Sequence, residues 1–189
     1  MTLPGVDTLI IEQPWGALRH LLGTAYRNDV HDGHGALVAS VAERGFVGPL
    51  RKLLRVTAFA GRTRFDLALT SRGQQVLLIR KGAGKPPTLV TRPDGGAIGS
   101  VRHEGHGAYG LLDPAGQRLC LLHEVASFSP GALAKRDGRR VRRDVLTLRP
   151  GTPEPVRSLA IAAAVAYDVV RGVGTNHTGG GSFDFPTLT

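Results

Sequence analysis

Hydrophobic and polar positions alternate in short runs along most of this chain, and the alternation stops near the C-terminus. Thr8–Glu12, Ala25–Val30, Ala36–Ala42, Leu54–Phe59 and Thr63–Leu69 read as half-buried strands. In the last of these Phe65, Leu67 and Leu69 share one face. Gln75–Arg80, Pro87–Thr91, Ala97–Val101, Ala108–Leu112, Arg118–Val125 and Val145–Leu148 continue the series, and Ala17–Leu22 fits a strand or a helical turn. The run Ser158–Tyr167 (SLAIAAAVAY) breaks the pattern, because it is apolar on every side. A helix of that kind is buried, in a core or in lipid. Bracketed by Arg157 and Asp168, the run is well short of the roughly 20 apolar residues of a bilayer span. The pattern therefore predicts a core helix over Pro153–Arg171 and no transmembrane span. Its start is marked by Thr152 as N-cap, Pro153 at the first helical position and Glu154 in the first turn. Gly172 and Gly174 fit a helix end, and 172–189 reads as a flexible tail.

The strand runs are punctuated at a steady interval. Gly73, Gly95 and Gly116 each separate two runs at spacings of 22 and 21 residues, a weak repeat of strand, turn, strand. Asp32, Asp94 and Asp113 are expected to hydrogen-bond their own turns. Stacked hairpins make a meander, and a meander loses its exposed edges by closing into a barrel. A barrel of roughly twelve strands needs filling, because diameter grows with strand number. The alanine-rich helix is the expected filler. The expected fold is thus mainly β: a closed antiparallel barrel around one C-terminal helix, as a single domain over 1–171.

Charge adds a surface to this picture. The net charge of the 189-residue chain is +9, and it is concentrated in two segments. Arg51–Arg92 holds ten Lys/Arg against Asp66 alone; Lys135–Arg149 holds seven against Asp137 and Asp144; the remainder sums to −5. Two basic segments on a mildly acidic background suit a polyanionic partner: a lipid surface, a nucleic acid or an acidic protein. The residues expected to bind lipid headgroups are Lys135, Arg136, Arg139, Arg140, Arg142 and Arg143, with Arg51, Lys52, Arg55, Arg80, Lys81 and Lys85 as a second patch. The N-terminus shows no secretory pattern and Cys120 is the only cysteine, so a cytoplasmic setting is expected.

Other chemistry finds little footing. His31/His34 and His103/His106 have metal-like spacing but sit in glycine-rich turns without further ligands, so neither metal nor cofactor is expected. There is no Gly-x-Ser-x-Gly elbow, and Gly82-Ala83-Gly84-Lys85 lacks the spacing of a phosphate-binding loop, so covalent catalysis is not expected. Asp168, inside the apolar helix, is expected to face the barrel mouth or to pair with Arg171.

The order of these pieces resembles a known family. LIIEQPWGALRHLLG (9–23), YRNDVHDGHGALVASVAE (26–43), RFDLALTSRGQQVLLIRK (64–81), PDGGAIGSV (93–101), YGLLDPAGQRLCLL (109–122) and VRSLAIAAAVAYDVV (156–170) are similar, in that order, to phospholipid scramblase-related proteins of the tubby-like, LURP-one-related barrel group. The resemblance spans roughly 8–171. It implies a closed twelve-stranded antiparallel barrel around a central helix, peripheral membrane association, and phospholipid scrambling as the family's named activity. Where animal scramblases carry an Asp-rich calcium segment, this chain has the basic KRDGRRVRRD (135–144), so no calcium site is expected. Two other readings stay open: a nucleic-acid-binding or transcription-linked module using the same basic surface, and a soluble small-ligand carrier or interaction scaffold.

Overall fold

The computed structural model describes residues 5–15, 26–45, 47–55, 60–105 and 108–170. The predicted run Ala17–Leu22, His106, Arg171 and the tail 172–189 lie outside them. The strands are β1 (Thr8–Pro14), β2 (Arg27–Asp32), β3 (Leu37–Glu43), β4 (Phe65–Ser71), β5 (Gln74–Lys81), β6 (Thr88–Thr91), β7 (Ala97–Gly105), β8 (Ala108–Leu112), β9 (Arg118–Leu121), β10 (Ala126–Arg136) and β11 (Arg139–Leu148). Helix α1 (Pro49–Arg55) and a 3-10 turn (Ala60–Arg62) lie between β3 and β4. Helix α2 (Leu122–Val125) joins β9 to β10, and α3 (Val156–Val170) follows β11.

Among the described residues the strands form one eleven-stranded sheet in the order β10-β11-β1-β2-β3-β4-β5-β6-β7-β8-β9. Every neighbouring pair is antiparallel. The expected hydrogen-bonded ring of about twelve strands is not what these residues form: β9 and β10 are edges. The one-turn helix α2 links them instead, bringing the end of β9 and the start of β10 close together. Glu124 fixes that turn by accepting the Leu121 N–H at 2.7 Å. This bond ends a strand that the sequence pattern carries through to Val125.

The turns follow their local chemistry. Asp32 Oδ1 accepts the N–H of His34 and Ala36, Asp94 Oδ1 that of Gly96, and Asp113 Oδ1 that of Gln117. Gly73, Gly95 and Gly116 all have φ near +80°, where a side chain is disfavoured. Two predicted elements differ. Leu54 and Arg55 belong to helix α1, which Pro49 opens, and 56–59 lie outside the described residues. Strand β10 is a segment in which the sequence pattern predicts no strand, and it contains Pro130-Gly131. Proline is tolerated there because β10 is an edge strand, and a register shift between Ser129 and Ala132 absorbs the irregularity.

Helix α3 is buried at every residue from Ser158 to Val170. It packs against β5, β6, β7, β8 and β11 and against α2, so both halves of the sheet wrap it. Leu159 and Ile161 join Leu67, Leu69, Ile79, Leu111 and Leu146 in one core. Each such side chain contributes about 1.5–3 kcal/mol by leaving water. The helix starts later than the sequence signals suggest. Thr152 closes a turn on the Arg149 carbonyl, and the Glu154 carboxylate accepts the Ser158 N–H at 3.3 Å.

Candidate functional site: a cationic end of the sheet

Strand register decides which loops share an end. Pro14 pairs with Val141, close to the Asp137–Gly138 turn of the β10–β11 hairpin. Arg27 at the start of β2 pairs with Ala42, and Glu43 at the end of β3 with Leu67. Phe65 at the start of β4 pairs with Lys81 at the end of β5, and Thr88 with Val101. The hairpin turn, the 44–64 connection and the 82–87 loop therefore lie at one end of the sheet. Their cations include Arg44, Arg51, Lys52, Arg55, Arg62, Arg64, Lys85, Lys135, Arg139 and Arg140, with Asp137 as the carboxylate at the hairpin turn. The turns at the other end carry Arg72, Arg92 and Arg149 against Asp32, Asp94, Asp113 and Glu154. Most of the exposed cations of two basic segments far apart in sequence thus meet at one end, while Arg72, Arg92 and Arg149 of the same segments stand at the other.

The residues expected to bind headgroups divide into three groups. Lys135, Arg139 and Arg140 are exposed at the hairpin tip, and Lys85 is exposed in its loop. Arg80 is exposed and lies 3.4 Å from Asp66. Arg51 and Lys52 are half-buried on α1, and Arg55 ends that helix.

Arg136 and Arg143 are half-exposed on the outer face of the sheet, where both hold Glu12. Arg136 uses Nε and a second nitrogen at 3.0 Å; Arg143 approaches at 2.8 Å. Burial alone would raise the Glu12 pKa, but the two guanidiniums hold it below its ordinary value. His31 lies beside them, its Nδ1 3.9 Å from Glu12, and burial followed by the charge of Arg136 depresses its pKa. His31 is thus part of an ion cluster, while its spacing partner His34 is exposed in the turn. His103 packs on Tyr109 with ring centroids 5.2 Å apart. Among the described residues no group of His, Cys, Asp and Glu is arranged to hold a metal ion.

Arg142 and Lys81, expected at the surface, are instead buried and bonded within the protein. Lys81 Nζ donates to the carbonyls of Gly61, Gly82 and Gly84 at 2.9, 3.3 and 2.7 Å, tying the 3-10 turn to the β5–β6 loop. Burial depresses its pKa. Arg142 is 1% exposed and points at α3. It donates to Asp168 Oδ1 and, at 3.1 Å, to the Asp168 carbonyl. The other carboxylate oxygen accepts Gln13 Nε2 at 2.9 Å, the Tyr26 hydroxyl and Asn28 Nδ2.

Asp168 is therefore enclosed and bonded to strands β1, β2 and β11, rather than facing the barrel mouth. Burial would raise its pKa, but Arg142 and the Tyr26 hydrogen bond outweigh that and keep it below the ordinary value. Burial and then the Asp168 charge push the Tyr26 hydroxyl well above 10.0. The sequence offers one hint of this cluster. Arg142 shares strand parity with the interior-facing Leu146 and Leu148, and Gln13 with Leu9 and Ile11.

The cationic end also presents apolar surface. On α1, Leu50 is 69% exposed, Leu53 50% and Leu54 36%. Among the described residues no helix is long and apolar enough to cross a membrane. No protein-family model matches the chain, and comparisons with curated proteins and with solved structures give no match either.

Proposed function

We propose that this protein docks peripherally on anionic membranes, binding phospholipid headgroups through the cationic end of its sheet. The observation that carries the reading is that most exposed cations of both basic segments share that end, while the turns of the opposite end carry three arginines against four carboxylates. An uneven field of this kind orients a molecule on a negative surface, and each cation near the surface contributes about 1 kcal/mol. On this reading Lys135, Arg139, Arg140 and Lys85 touch headgroups. Arg142, Lys81, Arg136 and Arg143 are committed to the protein itself. The curled sheet, with α2 spanning its edges, is read as the barrel of a tubby-like, scramblase-related protein.

The proposal stops at headgroup binding. Helix α3 is enclosed by strands and offers lipid no apolar face, so it gives no support for moving lipid between leaflets. The same helix fills the interior that a small-ligand carrier would use. Co-sedimentation with vesicles containing phosphatidylserine, against phosphatidylcholine alone, tests the proposal. Lys135→Glu, Arg139→Glu and Arg140→Glu are each expected to weaken binding at least about fivefold, corresponding to about 1 kcal/mol per charge. Tight binding to duplex DNA with a steep salt slope, and none to the charged vesicles, would replace this reading with the nucleic-acid one.

A further inference from the structure

We infer that helix α1 is an interfacial anchor: its leucines enter the headgroup–acyl boundary of an anionic bilayer and set the cationic end of the sheet against the membrane. The inference rests on the peripheral docking proposed above and adds the part of the protein that leaves water. Leu50, Leu53 and Leu54 are spaced i, i+3, i+4, so they form one stripe on a single helix face. A helix in a soluble fold turns such a stripe toward the core. Here Leu50 and Leu53 are at least half exposed, while Arg51 and Lys52 between them are less exposed. Among the described residues the remaining exposed large apolar side chains, Leu37, Leu89, Leu119 and Leu133, sit singly on four different strands. Apolar exposure is thus concentrated on α1.

What surrounds α1 selects the occupant. The helix lies in the connection between β3 and β4, with Arg44 before it and Arg62 and Arg64 after it, all exposed. Leucines rimmed by cations fit a surface that is negative outside and apolar beneath, which describes the interface of an anionic bilayer. Amphipathic helices of this composition lie in the interface plane with the apolar face about 5–10 Å into the boundary. A nucleic acid offers the charge without the apolar layer.

The test uses the full chain and vesicles of 30% phosphatidylserine in phosphatidylcholine. A Leu50→Trp substitution in a Trp15→Phe background gives a single tryptophan on the helix face. Its emission is expected to shift to the blue on adding charged vesicles and to be quenched by lipids brominated near the glycerol. Leu50→Ser/Leu53→Ser is expected to lose at least tenfold in vesicle affinity and to lose whatever binding survives 0.5 M salt. Arg139→Glu/Arg140→Glu is expected to weaken binding at low salt and leave the salt-resistant fraction. If wild-type protein binds charged vesicles but the tryptophan neither shifts nor is quenched, the anchor is overturned and peripheral docking stands. If wild-type protein does not bind them, both fall. Leucine-dependent self-association without lipid, with vesicle binding unchanged by the serine pair, assigns the face to a second copy of the chain and also overturns the anchor.

Discussion

Arg140 and Arg142 lie two residues apart on β11 and point to the same side of that strand, yet one is exposed and the other almost wholly buried. The difference is what faces them. Opposite Arg142 stands Asp168, in the last turn of α3, and the guanidinium meets both its carboxylate and its carbonyl. That end of a helix is also the negative end of its dipole. Arg140 lies two residues nearer the hairpin tip and is open to solvent. A basic segment that looks uniform in sequence is therefore two regions. One locks the core helix to the sheet, and the other supplies surface charge.

The strongest way to break this contrast is to remove one partner from the core. Asp168→Ala takes from the buried Arg142 the carboxylate it donates to, leaving it the weaker influence of Asp144, and is expected to cost about 3 kcal/mol, whereas Arg140→Ala should stay within about 0.5 kcal/mol. Urea unfolding midpoints check both, and comparable losses would erase the distinction. Replacing the pair together, as Arg142→Met/Asp168→Leu, is not expected to recover the single-variant loss, because Gln13, Tyr26 and Asn28 then lose their buried acceptor and the buried Asp144 loses the neighbouring cation.

A smaller effect is expected on the outer face. Arg136 and Arg143 are about one-third exposed (33% and 35%), so solvent screens their hold on Glu12. Glu12→Gln should cost about 1 kcal/mol, well below Asp168→Ala, in the same unfolding measurement.

The smallest and most informative effect is in pH. Glu12 and Asp168 have depressed folded pKa values, so the stability they confer is present above their ordinary values of 4.5 and 3.8 and drains away as pH falls below them. His31 is also depressed. The folded state therefore favours its neutral form, and stability is expected to begin declining earlier, as pH drops below about the ordinary 6.5. Unfolding midpoints from pH 7 to 3 should show this shallow early slope, and His31→Gln should flatten it while leaving the later, carboxylate-driven loss. A slope unchanged by His31→Gln would remove His31 from the cluster.

Features governed by neighbours in sequence were legible from sequence. The Asp-capped turns at 32, 94 and 113, the glycines that close the repeat, and the shared face of Phe65, Leu67 and Leu69 all follow from backbone conformation and side-chain parity. Elsewhere sequence fell short. Strand β10, not predicted from sequence, carries Pro130-Gly131 at a bulge, and strand-like residues through Val125 gave way to a turn held by Glu124. The bonds of Asp168 to the strands were not legible because those partners are distant, and its expected pairing with Arg171 lies outside the described residues. Arg171 stands three residues away in sequence, while Arg142 and Tyr26 stand 26 and 142 away.

By itself the sequence determined that a chain of alternating strands would enclose an apolar helix. An all-round apolar segment such as Ser158–Tyr167 has to be kept from water, and it is too short to cross a bilayer. Only the tertiary structure decided which arginines serve the core and which the surface, and that exposed cations from both basic segments share one end. Whether a charge is buried depends on what stands across from it. That depends on strand register and on where a distant helix ends, and no local pattern records either.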